Sequence, residues 1–252
     1  MIIDILGYIL VGVGVGILSS FLGFGGGTII VPFLPIISGL DIKTTIATSL
    51  ATVALNASNN TFNFHRKSKV RWGIILTMCI GSMAFGFLSS RATYLINEYY
   101  VRWAVIAVFI ILTLITHFGI KSVPHFLRQP TKFNLILMGA FAGIASGFGG
   151  IGGGTILIPI LIVAQWVKND EVAPAGNAIN MLTAGTAALT LAFSNQRVEW
   201  LAAIIILMTS LAVSHFARQK QHLINEKQRR YAIVYFLSFT IILQIFKTLQ
   251  AS

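Results

Sequence analysis

The amino-acid sequence predicts an all-α, polytopic membrane protein made of two inverted repeats of five segments each. Three observations predict this fold class. Only 10% of the residues are charged and the mean hydropathy is +0.82, whereas about a quarter of the residues of a soluble domain are charged. Apolar segments long enough to cross a bilayer recur along the chain. A glycine-rich stretch also occurs twice, once in each half.

The duplication is visible by direct alignment. Residues 12–34 read GVGVGILSSFLGFGGGTIIVPFL and residues 139–161 read GAFAGIASGFGGIGGGTILIPIL, with 13 of 23 positions identical at an offset of 127. An internal match at half the chain length indicates a repeated structural unit. We therefore predict a first membrane repeat over residues 1–120 and a second over residues 121–252, within one membrane domain.

The predicted elements follow in chain order as ten apolar segments: 3–22, 28–38, 44–64, 72–90 and 100–118, then 131–148, 155–167, 173–194, 198–216 and 229–248. The segments after the glycine runs, 28–38 and 155–167, are too short for ordinary membrane spans, and both contain proline. We expect each glycine run to produce a re-entrant or discontinuous helix pair. The second helix of each pair is expected to begin near Thr28 or Thr155.

The basic residues predict the topology. The net charge of +11 does not indicate nucleic-acid binding, because Lys and Arg lie in short loops between apolar segments, where the positive-inside rule explains them. If each broken pair makes no net crossing, the halves are inverted and both termini lie outside. If each pair crosses once, the halves are parallel and the basic loop 215–230 lies outside. We favour inversion, which leaves only these cations outside: Lys43, Arg91, Arg102, Arg197 and Lys247.

The N-terminus, MIIDILGYIL, has no basic region or cleavage site typical of a signal peptide, so we expect the first segment to be retained. The predicted location is the cell inner (cytoplasmic) membrane, which the chain crosses several times. Asp41 precedes the third segment, and Asp170 and Glu171 begin the eighth. We expect these acidic residues to cap helix N-termini.

Two glycine runs are the main candidates for a binding site. Consecutive glycines adopt backbone conformations closed to other residues, so successive amides can point into one cavity. A helix that begins there adds unpaired amides and a positive dipole end, which favour an anion. Close helix packing is the alternative, and it better explains Gly12, Gly16, Gly139 and Gly143. The candidate residues are Gly25, Gly26, Gly27 and Thr28, and Gly152, Gly153, Gly154 and Thr155.

The third and eighth segments supply a second set of candidates, because polar residues recur along them at helical spacing. The first stripe comprises Thr45, Ser49, Thr52, Asn56, Asn59 or Asn60, and Asn63; the second comprises Asn177, Asn180, Thr183, Thr186, Thr190 and Ser194. Such groups are costly in lipid and are expected to face the interior. Hydrogen bonding between helices is the alternative for any one of them. We select Ser49, Asn56, Asn177 and Asn180 as substrate donors.

No Asp, Glu, Lys or Arg falls in the middle of a predicted span. A site of amide and hydroxyl donors suits an anion better than a metal ion, so we predict no metal, no cofactor and no catalytic residue. A divalent-metal permease is the first alternative. An intramembrane serine hydrolase using Ser19 or Ser146 is a less favoured one, because no histidine lies deep in a span to serve as base. His65 ends the first stripe and is a candidate gate or proton relay. Cys79 is predicted to be a packing residue.

The duplicated motif G-x-x-x-G-x-x-S-[SG]-x-x-G-x-G-G-G-x-x-x-x-P-x-L resembles that of the TauE/SafE sulfite exporter family of bacterial permeases. Residues 47–51 (ATSLA), His65 and residues 70–72 (VRW) also fit the family's first repeat. The second repeat differs, since residues 176–178 read GNA in place of Thr-Ser-Leu and Phe193 stands near the position of the histidine.

The resemblance implies efflux or uptake of sulfur-containing oxyanions, such as sulfite, sulfoacetate or other organosulfonates, across the cytoplasmic membrane. We predict a membrane transporter that acts as an exporter of these anions. From the paired glycine breaks we expect the small anion to bind between them near the midplane, with alternating access achieved by rocking one repeat against the other. The expected partners are therefore this anion and the lipid bilayer, with no nucleic acid.

Overall fold

The computed structural model describes residues 2–22, 26–65, 72–118, 129–194, 197–219 and 226–250. These residues form ten helices and no strand: α1 Ile2–Leu22, α2 Gly27–Ser38, α3 Ile42–His65, α4 Trp72–Leu95, α5 Glu98–Phe118, α6 Lys132–Gly149, α7 Gly153–Ala164, α8 Asn169–Phe193, α9 Trp200–Gln219 and α10 Glu226–Gln250. The ten predicted segments and the all-α polytopic fold class are confirmed.

Five of the described helices, α4, α5, α6, α9 and α10, are long and apolar enough to cross a membrane. Helices α3 and α8 are longer than most, with 24 and 25 residues, but their polar stripes lower their hydropathy. Part of each stripe faces the interior of the bundle, since Thr45, Ser49 and Thr183 are fully buried. The surrounding helices therefore shield α3 and α8 at the centre of the bundle.

The glycine runs break the chain where the sequence predicts. Helices α2 and α7 begin at Gly27 and Gly153, and each has 12 residues. In the second break Gly150 and Gly152 have φ values of +66° and +79°, a region that favours glycine because it has no Cβ. The two helices of each broken pair differ in length, because α1 and α6 have 21 and 18 residues whereas α2 and α7 have 12 each. Residues 23–25, which include the candidate Gly25, lie outside the described part of the chain.

The helices pair according to the repeat. Helix α1 packs most extensively on α9, and the equivalent α6 packs on α4; α3 packs on α8, and α5 on α10. Exchanging the two halves therefore reproduces these four pairings. Asn60 of α3 bonds to Asn177 of α8, while Gly185 of α8 lies beside Ala54 of α3, so these equivalent helices run antiparallel. A twofold axis in the membrane plane produces such a pairing, which supports the predicted inversion; the orientation in the membrane stays a prediction.

The helix ends predicted to lie outside are found together. The Lys43 amine donates to the Tyr94 carbonyl at 2.8 Å, linking the start of α3 to the end of α4. The Arg91 guanidinium donates to the Ser194 hydroxyl at 2.9 Å, and the Glu199 amide donates to the Thr48 hydroxyl at 3.0 Å. These contacts place the ends of α4 and α8 and the starts of α3 and α9 at one end of the bundle.

The acidic residues near helix starts have the capping role that the sequence predicts. The Asp41 carboxylate accepts a hydrogen bond from the Thr44 amide at 2.8 Å. The Glu171 carboxylate accepts one from the Lys168 amide at 3.1 Å. The side chain of Asp170 lies outside the described residues. Cys79 is buried, as expected for a packing residue.

Helix α2 is tied to α10 through a carbonyl that a proline leaves unpaired. In a regular helix the Val31 carbonyl would accept from the amide four residues later, but that residue is Pro35, which has no N–H. The Gln244 side-chain amide of α10 donates to the Val31 carbonyl instead, at 3.2 Å. Gln244 is only 2% exposed. One side chain therefore satisfies a buried acceptor and joins two helices.

We expect Gln244→Leu to lower the free energy of unfolding in detergent by about 1–3 kcal/mol, because it leaves a buried carbonyl unpaired. Pro35→Ala restores an amide to α2, so Gln244→Leu should cost much less in a Pro35→Ala background. A double-mutant cycle of denaturant unfolding measures the difference. Equal costs in both backgrounds would show that the hydrogen bond contributes nothing beyond packing.

Candidate binding site

The two glycine breaks meet in the middle of the bundle. A Cβ placed on Gly27, the first residue of α2, would lie 2.6 Å from the Ile151 Cα and would overlap the Gly150 carbonyl oxygen. A Cβ on Gly150 would in turn lie 2.8 Å from the Val31 side chain. The N-termini of α2 and α7 therefore converge on one buried region, and only glycine permits backbones to approach so closely.

The two stripe helices hold the second break from opposite ends. The Ser49 hydroxyl of α3 donates to the Gly150 carbonyl at 2.7 Å, where α6 ends. The Gly154 amide, in the first turn of α7, donates to the Asn180 side-chain oxygen of α8 at 2.7 Å. The Gly152 backbone lies against the same Asn180 side chain and against Val53. Each end of the second break thus has one polar partner: Ser49 of the first repeat at the end of α6, and Asn180 of the second repeat at the start of α7.

Most of the residues chosen from the sequence share this region. The structure brings together Gly26, Gly27, Thr28, Ser49, Gly152, Gly153, Gly154, Thr155 and Asn180, all of them buried. Thr155 is held by a hydrogen bond from its hydroxyl to the Ile151 carbonyl at 3.0 Å.

Asn56 and Asn177 lie outside this group and are half-buried. The Asn60 amide donates to the Asn177 oxygen at 3.1 Å, and the Asn177 amide donates to the Ala173 carbonyl at 2.8 Å. Asn177 therefore belongs to a separate contact between α3 and α8, nearer the end predicted to face the cytoplasm.

The structure adds residues that the sequence analysis did not select. Gly150, which has a left-handed backbone conformation, accepts a hydrogen bond from the Ser49 hydroxyl. The sequence could have indicated Gly150, because the equivalent position of the first repeat is also a glycine, Gly23. Thr183 belongs to the predicted stripe, and its hydroxyl donates to the Ser82 hydroxyl of α4 at 2.7 Å. The Thr183 methyl group would lie 3.1 Å from a Cβ on Gly153. No local pattern pointed to Ser82, because its role depends on the packing of α4 against α8.

Several stripe hydroxyls are satisfied within their own helix. They donate to the carbonyl four residues earlier: Thr45 to Asp41, Thr52 to Thr48, Thr186 to Leu182 and Thr190 to Thr186. Such bonds are common for Ser and Thr in helices and need no ligand. Hydrogen bonds from the stripes to other elements are instead made by Ser49, Asn60, Asn177, Asn180, Thr183 and Ser194. All of these except Ser194 lie close to the second break or form the Asn60–Asn177 pair.

The polar groups at the break are of the kind that can bind an anionic ligand. Two helix N-termini direct their dipoles to one region, and the side-chain oxygen of Asn180 occupies the place at α7 where an anion's oxygen would accept from Gly154. The described residues contain no group of three or more His, Cys, Asp or Glu that could hold a metal ion. The buried Ser146 hydroxyl has no hydrogen-bond partner among them, whereas a serine nucleophile requires a base within hydrogen-bond reach.

The fold defines a multi-pass membrane protein of all-α class with a central, charge-poor polar region, as in membrane transporters. The sequence pattern of the family described as sulfite exporter TauE/SafE matches residues 8–243. The chain belongs to this family. It is therefore a membrane transporter protein by family, and its multi-pass helices agree with a location in the inner membrane.

Relatives with transporter names support the assignment. A probable membrane transporter protein of Methanocaldococcus jannaschii is 29% identical over 193 residues, 71% of this chain and 72% of the relative. One of Xylella fastidiosa is 27% identical over 229 residues, 84% of this chain and 85% of the relative. One of Haemophilus influenzae is 27% identical over 168 residues, 61% of each chain. No solved structure matches the chain.

Proposed function

We propose that the protein is a secondary transporter, acting as an exporter, of small sulfur-containing oxyanions such as sulfite, sulfoacetate or other organosulfonates. The observation that carries the proposal is the meeting of the two glycine breaks, where Gly27 lies against Gly150 and Ile151. Two helix N-termini then supply main-chain donors to one buried point. The family name gives the sulfur chemistry, and the uncharged lining explains how an anion is bound and released again.

The proposed ligands are the candidate residues themselves. The main-chain donors we propose are the amides predicted from the sequence, those of Gly25, Gly26, Gly27 and Thr28 and of Gly152, Gly153, Gly154 and Thr155, because the first amides of a helix lack the regular partner four residues earlier. In the conformation seen here the Thr155 amide is bonded to the Gly152 carbonyl at 3.3 Å, a bond that the substrate would have to replace. In the conformation seen here the Gly154 amide is bonded to Asn180. A sulfonate oxygen would replace the Asn180 oxygen there, and the freed Asn180 amide group would donate to another oxygen of the substrate. Ser49 adds a hydroxyl at the break.

Asn56 and Asn177 would act at an earlier stage of transport. Both are half-buried on the stripe helices, beside the Asn60–Asn177 hydrogen bond. This position lies between the break and the end predicted to be cytoplasmic. They would receive the anion from that side, before it reaches the break, when the repeats rock relative to each other.

The test is anion efflux from proteoliposomes loaded with sulfite or sulfoacetate, with empty liposomes and chloride loading as controls. We expect both sulfur anions to leave faster with protein than without it, and taurine, which carries no net charge, to leave no faster. Binding is measured independently by the shift that each anion gives in the thermal unfolding of detergent-solubilised protein. If nickel or cobalt ions cross and sulfur oxyanions do not, the proposed substrate class is wrong.

A further inference from the structure

A cavity of roughly 440 Å³ opens at the end of the bundle predicted to lie outside, away from the glycine breaks. It lies between the C-terminal end of α2, the first turns of α5 and the last turns of α10. Its lining comprises Pro35, Gly39, Leu40, Asp41, Arg102, Lys247 and Gln250. A Cβ on Gly39 would have no atom within 4 Å, in keeping with the open space beside it.

The charges of the lining favour an anion. Arg102 and Lys247 come from equivalent helices of the two repeats and face one cavity, and Asp41 is the one carboxylate among the lining residues. The Asp41 carboxylate already accepts from the Thr44 amide. Arg102 pairs with Glu98 on its own helix at 3.7 Å, and Glu98 is 44% exposed, so this pair is loose. Lys247 makes no salt bridge within the described residues.

Helix α2 spans the distance between the breaks and the cavity. Helix α2 starts at Gly27 in the break and ends beside Gly39 in the cavity, a length of about 18 Å at 1.5 Å per residue. The Gln244–Val31 hydrogen bond fixes α10 along this helix. Exposed aromatic residues next to Arg102, namely Tyr99, Tyr100 and Trp103, are typical of a membrane–water interface. The cavity therefore lies near the membrane surface, at the end of the bundle predicted to lie outside.

We propose that this cavity is a second anion site, in which Arg102 and Lys247 bind the sulfonate or sulfite group of a small soluble anion at the outer mouth. Two cations in a cleft concentrate anions there, and the guanidinium forks match paired oxygens of an oxyanion. The assignment of the site as the outlet of the transport path rests on the proposed function. A phospholipid headgroup presents similar oxygens, so the test must separate the two sources.

The probe is a cysteine at the cavity wall, Gln250→Cys in a Cys79→Ala background, since Cys79 is the single native cysteine. Its reaction rate with an anionic sulfonatoethyl methanethiosulfonate is compared with that of a cationic trimethylammonium analogue, and the ratio is divided by the same ratio for free cysteine. We expect a preference for the anionic reagent of roughly tenfold or more at low salt. It should fall to about one in Arg102→Gln/Lys247→Gln, and be unchanged in Lys132→Gln, at the other predicted end.

Sodium ethanesulfonate is the soluble competitor. In phospholipid-free micelles it should slow labelling of Gln250→Cys by uncharged methyl methanethiosulfonate, and this protection should vanish in the Arg102→Gln/Lys247→Gln protein. A labelling ratio of one in the parent, or protection only on addition of phosphatidylglycerol, would overturn the site. If ratio and protection hold but the wild-type protein moves no sulfur anion in proteoliposomes, the transport proposal fails while the anion site stands.

Discussion

Gly27→Ala is expected to reduce sulfur-anion efflux by about ten- to a hundredfold. The added methyl group would overlap the Gly150 carbonyl and lie 2.6 Å from the Ile151 Cα, and both are backbone atoms that cannot rotate away. Overpacking of this kind costs about 1–3 kcal/mol. Because this cost opposes the approach of the two breaks, which the proposed transport cycle requires, each 1.4 kcal/mol should lower the efflux rate about tenfold. The measurement is the initial rate of sulfite efflux from proteoliposomes at equal protein content.

Gly14→Ala is the matched control for this variant. Gly14 lies in α1, and its Cβ would be 3.7 Å from the Ile29 side chain, an ordinary contact. Gly26→Ala is an intermediate case, because its Cβ would meet the Val15 side chain at 2.7 Å, and a side chain can adjust. The rate of efflux should decrease in the order Gly14→Ala, Gly26→Ala, Gly27→Ala. Full efflux by folded, monodisperse Gly27→Ala protein would show that the close approach of the breaks is dispensable.

Asn180→Asp is expected to reduce efflux of sulfur anions at neutral pH strongly, because it places a negative charge at the break. The two side chains have nearly the same shape, and a carboxylate oxygen can still accept from the Gly154 amide. A negative charge about 4 Å from the bound anion is worth about 4 kcal/mol at an effective dielectric constant near 20. We therefore expect a loss of at least about a hundredfold in efflux, measured on protein that is still folded and monodisperse.

Asn180→Leu separates charge from the loss of the hydrogen bond. Leucine removes the acceptor from the buried Gly154 amide and should lower the free energy of unfolding by about 1–3 kcal/mol, but it adds no charge to the break. Low pH gives a further test, because protonation of the introduced carboxyl group removes the repulsion and should restore part of the efflux. If Asn180→Asp instead improves the uptake of nickel or cobalt, the site binds cations and the anion proposal is wrong.

These two experiments test different steps of the same proposal. Gly27→Ala examines whether the breaks must meet, and Asn180→Asp examines what charge the meeting point accepts. If Gly27→Ala loses efflux and Asn180→Asp keeps it, transport requires the close approach of the breaks but the anion does not bind there. Loss of efflux in both variants, together with loss of sulfite binding, is the result expected if the anion binds where the two breaks meet.

The sequence was most informative where the structural cause is local. Apolar runs, proline and consecutive glycines determine the ten helices and the starts of α2 and α7, because hydropathy and backbone freedom act within a few residues. Asp41 and Glu171 were recognisable as caps for the same reason. The polar stripes of α3 and α8 were also legible, although the intrahelical bonds of Thr45 and Thr52 show that periodicity alone does not tell a lining residue from one satisfied by its own helix.

The sequence by itself determined the membrane class, the duplication and the family, since each depends on composition and on the order of residues. Only the tertiary structure decided which polar groups meet: Ser49 with Gly150, Asn180 with Gly154, and Gln244 with Val31. The physical reason is that these bonds join residues far apart in the chain. Their formation depends on how helices cross, and no local propensity encodes the point at which two glycine breaks touch.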